Sequence, residues 1–128
     1  MPTEQYHEPP SELADDVRTY ARVCTSLIEE AEAINWYAQR LAIERDEQAA
    51  AIMRDAQDEE FKHFSMDLEY LLRRTPIWRQ VAQRVLFQPG DIVENGDAAE
   101  AEAGADDGGG AAPTSDSLGI GSLKGRER

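Results

Sequence analysis

Residues 11–44 read SELADDVRTYARVCTSLIEEAEAINWYAQRLAIE, and their apolar spacing makes this an all-α chain. Leu13, Val17, Tyr20, Cys24, Leu27, Ala31, Ile34, Ala38 and Leu41 follow one another in alternating steps of four and three. That is the period of a long helix packing along one seam. Ser11, after Pro10, has the side chain of an N-cap. The spacing therefore predicts a helix from Ser11 to Glu44, roughly 50 Å long at about 1.5 Å per residue. A break at Arg45-Asp46 follows, with Asp46 as the N-cap of a second helix that runs to Arg74. Thr75-Pro76 stops that helix and starts a short third one, with Thr75 as its N-cap and Pro76 in the first turn. The third helix is expected to end at Gln88-Pro89-Gly90.

Two long helices on a tight connection make an antiparallel hairpin, and a hairpin buries only one side of each helix. The second helix carries Phe61, Phe64, Leu68, Leu71 and Leu72 besides Ile52, Met53 and Ala56, so apolar residues occupy more than one side. The expectation is a homodimer in which two hairpins complete a four-helix bundle. Ile77, Trp78, Val81 and Val85 on the third helix point to assembly beyond the dimer. Cys24 lies on the seam of the first helix and reads as a small core residue.

Composition sets the outer limits. The 128 residues include 26 acids and 13 Lys and Arg, a net charge of −13. Residues 1–90 hold 17 acids against 10 bases and residues 91–128 nine against three, so both parts are acidic. Such a charge repels nucleic acid and anionic membranes, and it suits cations that take carboxylate ligands. No run of about 18 apolar residues is present, and MPTEQYHEPP has neither the basic nor the apolar region of a signal peptide. The single cysteine excludes an internal disulfide and an all-cysteine metal site. These features predict a cytoplasmic protein in three segments: a helical domain over 1–90, a linker over 91–116 and a terminal peptide over 117–128. Within the linker, residues 96–113 hold seven Ala, five Gly and five acids, a composition expected to stay flexible and extended. The terminal peptide spaces Leu118, Ile120 and Leu123 with glycines, as a docking segment on a tether does.

Two carboxylates and a histidine occupy positions where apolar residues belong. On a helical wheel centred on Glu60, Met53 and Leu71 fall at about +20° and Phe64 at about +40°. Ala56 falls at about −40°, His63 at about −60° and Asp67 at about −20° on that wheel. Around Glu30 the same construction puts Val23 and Leu41 at about +20°, Ile34 at about +40° and Tyr37 at about −20°. Glu30 and Glu60 thus interrupt apolar faces. An unpaired buried carboxylate is costly, so it is paired, protonated or bound to metal. Oxygen and imidazole donors favour iron, manganese or zinc. Di-iron carboxylate bundles use one Glu from each of two helices and a Glu-x-x-His from each of the other two. This chain has half of that set: Glu30, and Glu60-Phe61-Lys62-His63. A two-fold dimer would complete it. Glu29 and Glu32, beside Trp36, lie on another face and read by composition as a solvated acidic edge.

The chain resembles the encapsulated ferritins, a bacterial ferritin-like family packaged in encapsulin shells. The likeness lies in Glu29-Glu30-Ala31-Glu32-Ala33-Ile34-Asn35-Trp36-Tyr37 and Asp58-Glu59-Glu60-Phe61-Lys62-His63. Leu68 to Arg74 and Tyr6-His7-Glu8-Pro9 add to it, and the LGIGSLKG of residues 118–125 is similar to an encapsulin cargo-loading peptide. The resemblance implies a half-ferritin that dimerises through iron, with dimers closing into a decameric ring inside the encapsulin nanocompartment. It implies ferroxidase activity, Fe(II) being oxidised by dioxygen at a di-iron centre. Glu30, Glu60 and His63 would be ligands, and Tyr37 a partner behind them. Glu29, Glu32 and Trp36 would line a secondary metal site on the iron's approach. Phe61 and Phe64 depart from the smaller or charged residues of the family. Two other readings fit the metal-ligand pattern: a rubrerythrin-like enzyme that reduces peroxide, and a non-catalytic helical adaptor holding a structural ion. The missing cysteine pairs of a rubredoxin module count against the first.

Overall fold

The computed structural model describes residues 5–109, with side chains described up to residue 105. All regular structure among the described residues is helical. A 3-10 turn over Pro10–Glu12 precedes α1 (Asp15–Ile43), α2 (Glu47–Arg74), α3 (Pro76–Val85) and α4 (Ile92–Gly109). No helix among the described residues is long and apolar enough to cross a membrane. The chain divides into two compact units, Met1–Leu71 and Leu72–Arg128.

In the first unit α1 and α2 form the hairpin. The expected cap at Ser11 is displaced: Leu13 turns extended after the 3-10 turn, and α1 begins behind Ala14, which gives no side-chain cap. The first turn holds itself with an Arg18–Asp15 ion pair and the bond from Val17 N to Asp16 Oδ1 (2.9 Å). At the connection, Glu44 Oε2 accepts the Arg45 and Asp46 amides at 3.1 Å each. Asp46 Oδ1 then accepts the Ala49 amide at 2.8 Å. This is the N-cap that the sequence predicts. The hairpin register is pinned by Gln57 Nε2, which donates to the Ile34 carbonyl at 3.1 Å.

The seam along α1 holds in part. Leu13, Val17, Tyr20, Cys24, Leu27, Ile34 and Leu41 are half-buried, but Ala31 and Ala38 are exposed. Beyond Leu27 the covered stripe runs instead through Glu30, Ala33, Ile34, Tyr37 and Leu41. A real helix of 3.6 residues per turn drifts about 20° per heptad against a 3.5 repeat, which turns the two alanines outward. No residue of α1 is fully buried.

The second unit corrects the sequence reading at two points. The third helix ends at Val85, and Phe87 adopts the left-handed conformation (φ 62°). More importantly, residues 92–109 are helical, where composition predicts a flexible linker. Asp91 opens α4 by accepting the Glu94 amide at 2.9 Å. Ala99 and Ala103, one turn apart, are 1% and 3% exposed, and Ala82 on α3 is also buried. Composition undervalues alanine. It loses no side-chain entropy, is the best helix former, and lets two helices approach closely. Arg84 also reaches from α3 to both carboxylate oxygens of Glu102. Residues 110–116 and the terminal peptide with Leu118, Ile120 and Leu123 lie outside the described residues.

Candidate metal centre

Glu30 comes from the middle of α1 and Glu60 and His63 from the middle of α2, at the level set by the Gln57–Ile34 bond. One ligand atom from each of Glu30, Glu60 and His63 lies within 4.8 Å of the other two. All three side chains are half-buried. The i,i+3 spacing projects the carboxylate and the imidazole together from α2, as expected. Glu59 stands to the side, where it pairs with Lys62 at 2.8 Å and lies 3.9 Å from His63 Nε2. That pairing holds the Glu59 carboxyl below its ordinary range.

Glu30 is in the opposite condition. Burial, followed by Asp67 and then by Glu60 and Glu29, pushes its pKa from 4.5 up to about 8. Its Oε2 is buried and accepts no hydrogen bond, and the same holds for Asp67 Oδ2. A buried acceptor without a donor is expensive unless a cation or proton serves it. Mixed carboxylate and imidazole donors suit a divalent first-row metal such as Fe(II), so the residues fit an iron ion. Asp67 is the member that sequence reasoning leaves out of the ligand set. Its place seven residues after Glu60 puts it on the right face, but only the fold sets it against Glu30.

The other expected site residues are more dispersed. Tyr37 is half-buried two turns along from Glu30, with the Arg40 guanidinium 5.3 Å above its ring. Glu29 is exposed, Glu32 half-buried and Trp36 49% exposed. Phe64 is half-buried, and Phe61 faces outward at 47% exposure. Burial raises the pKa of Cys24, which makes it a poor nucleophile and fits a packing role.

A helical hairpin carrying an inward Glu and an inward Glu-x-x-His defines the ferritin-like class of metal-binding bundles. Comparison with known proteins narrows this further. The profile of the EncFtn-like family matches residues 5–89, and the chain belongs to that family. A ferritin-like protein of Thermotoga maritima is 42% identical over 91 residues, covering 71% of this chain and 80% of the relative. An encapsulated ferritin-like protein of Rhodospirillum rubrum is 39% identical over 122 residues, covering 93% of this chain and 87% of the relative. A crystal structure of a Nitrosomonas europaea protein superposes with a TM-score of 0.67 at 36% identity, over 70% of this chain and 98% of that one.

Proposed function

We propose that this protein is a ferroxidase that takes Fe(II) at Glu30, Glu60 and His63 and passes its electrons to dioxygen. The observation that carries this reading is the convergence of those three ligand atoms within 4.8 Å across the hairpin. The family membership and the names of the relatives support iron as the substrate.

The site of one chain is half of a di-iron set. A second copy related by a two-fold axis would bring four carboxylates and two imidazoles together. Four negative charges then balance two ferrous ions. Glu60 and His63 present one oxygen and one nitrogen from a rigid helix, and Glu30 closes the site from the facing helix. Glu30 must lose its proton to ligate, so iron uptake and proton release are coupled. Tyr37 would be a partner behind the ligands. Glu29, Glu32 and Trp36, towards solvent, gather Fe(II) on its approach. The absence of any fully buried residue in α1 supports pairing of hairpins, and a decameric ring follows the family's pattern. Leu118, Ile120 and Leu123 of the terminal peptide would dock the protein to an encapsulin shell in the cytoplasm, where oxidised iron is stored.

The test is the initial rate of Fe(II) oxidation in air, wild type beside His63→Ala, on protein lacking residues 117–128. A saturable rate that falls at least tenfold in the variant is expected. A wild-type rate no faster than iron in buffer would overturn the reading.

A further inference from the structure

We propose that Asp67 is a further metal-ligating side chain, binding a divalent cation jointly with Glu30 and adding a cation position to the site. The proposal rests on the reading of Glu30, Glu60 and His63 as metal ligands. Asp67 follows His63 by four residues and Glu60 by seven on α2, so all three lie along one face of that helix. Its Oδ2 and the Oε2 of Glu30, from the facing helix, are both buried, and neither has a hydrogen-bond donor. The side chains that act on Glu30 electrostatically are Asp67, Glu60 and Glu29, all of them acidic. Two other carboxylates of the hairpin do have basic partners: Asp15 has Arg18 and Glu59 has Lys62.

Two buried carboxyl oxygens on the two helices, with Asp67 the first side chain to act on Glu30, leave two chemical solutions. One proton can lie between them, or a hard divalent cation can bridge them, with oxygens at about 2.0–2.6 Å. A shared proton would satisfy both oxygens but leave the pair with one net negative charge in a half-buried place. A divalent cation neutralises both carboxylates and satisfies both oxygens, and the neighbouring ligand set already draws such ions to this level of the hairpin. Asp67 therefore extends the ligand row by one helical turn.

The test titrates metal-free, full-length protein with Co(II), following heat and visible absorption at one fixed pH. Wild type, Asp67→Asn, Asp67→Glu and His63→Ala are compared, each checked for wild-type helicity. Asp67→Asn keeps the shape and can still hydrogen-bond Glu30, so it removes only the charge. The expected result is that Asp67→Asn loses one class of Co(II) sites, or weakens it at least tenfold, while Asp67→Glu retains it. The His63-dependent absorption should persist in both Asp67 variants. Equal stoichiometry and affinity in wild type and Asp67→Asn, with binding reduced in His63→Ala, would overturn the proposal and leave the three-residue centre standing. Unchanged binding in His63→Ala would overturn the centre itself, and the proposal with it.

Discussion

Glu30 concentrates the chemistry of this chain at one carboxyl group. A carboxyl whose pKa is raised by folding stabilises the metal-free fold below its unfolded value, near 4.5, and loses that contribution as the pH rises through about 8. Metal binding runs the other way. The proton competes with the cation up to about pH 8, so Co(II) or Fe(II) affinity should climb with pH and level off above it. Glu30→Gln fixes the neutral form. Its metal-free melting temperature should not show the decline between pH 4.5 and about 8, and above that range it should exceed wild type, while Fe(II) oxidation collapses. Thermal melts across pH, run beside the oxidation assay, check both halves. Glu30, Glu60 and His63 are legible in the sequence because each interrupts an apolar stripe at a spacing that helix geometry fixes. Asp67 is not legible in the same way. A wheel shows which face a carboxylate occupies, but whether its oxygen meets a lysine, water or another acid depends on the facing helix.

The helices are legible where a boundary has local chemistry. Asp46 and Thr75-Pro76 mark real starts because a side-chain acceptor or a proline acts within one turn. Ser11 does not, since a 3-10 turn intervenes and shifts the start of α1 to Asp15. Helix α4 escapes a sequence reading because its burial comes from Ala99 and Ala103, whose small area gives no signal until another helix lies against it. Gly104 lies inside this helix with nothing within 4 Å of where a Cβ would stand. Gly104→Ala should therefore stabilise α4 by about 0.5–1 kcal/mol, through helix propensity alone. Urea unfolding of the two proteins, or amide exchange over residues 92–109, measures the difference.

On the scale of the whole molecule, the hairpin exposes more apolar surface than a self-sufficient fold would. Ile43 and Ile52 are 81% and 63% exposed, and Leu71 is the one large side chain hidden completely among the described residues. If the metal centre lies between two copies, Fe(II) should drive association by mass action. Sedimentation of anaerobic protein should show a shift to larger species on adding Fe(II), and an unchanged distribution would count against the shared centre. The terminal peptide makes a separate prediction. Removing residues 117–128 should abolish co-purification with an encapsulin shell and leave the oxidation rate in solution unchanged. The sequence carries both expectations because tails and seams are written in composition and period, whereas ring size depends on angles between protomers that no local pattern encodes.

The bare state of α1 also bears on how long a solitary chain survives. None of the 29 residues of α1 is fully buried, so in one chain its opening is resisted only by a half-buried stripe, the Gln57–Ile34 bond and its own backbone hydrogen bonds. Segments of that kind open cheaply and often, and proteases cut what opens. If hairpins pair as proposed, the lifetime of an unpaired chain depends on how soon it meets a copy, and so on concentration. Surplus subunits would be cleared without any dedicated degradation signal.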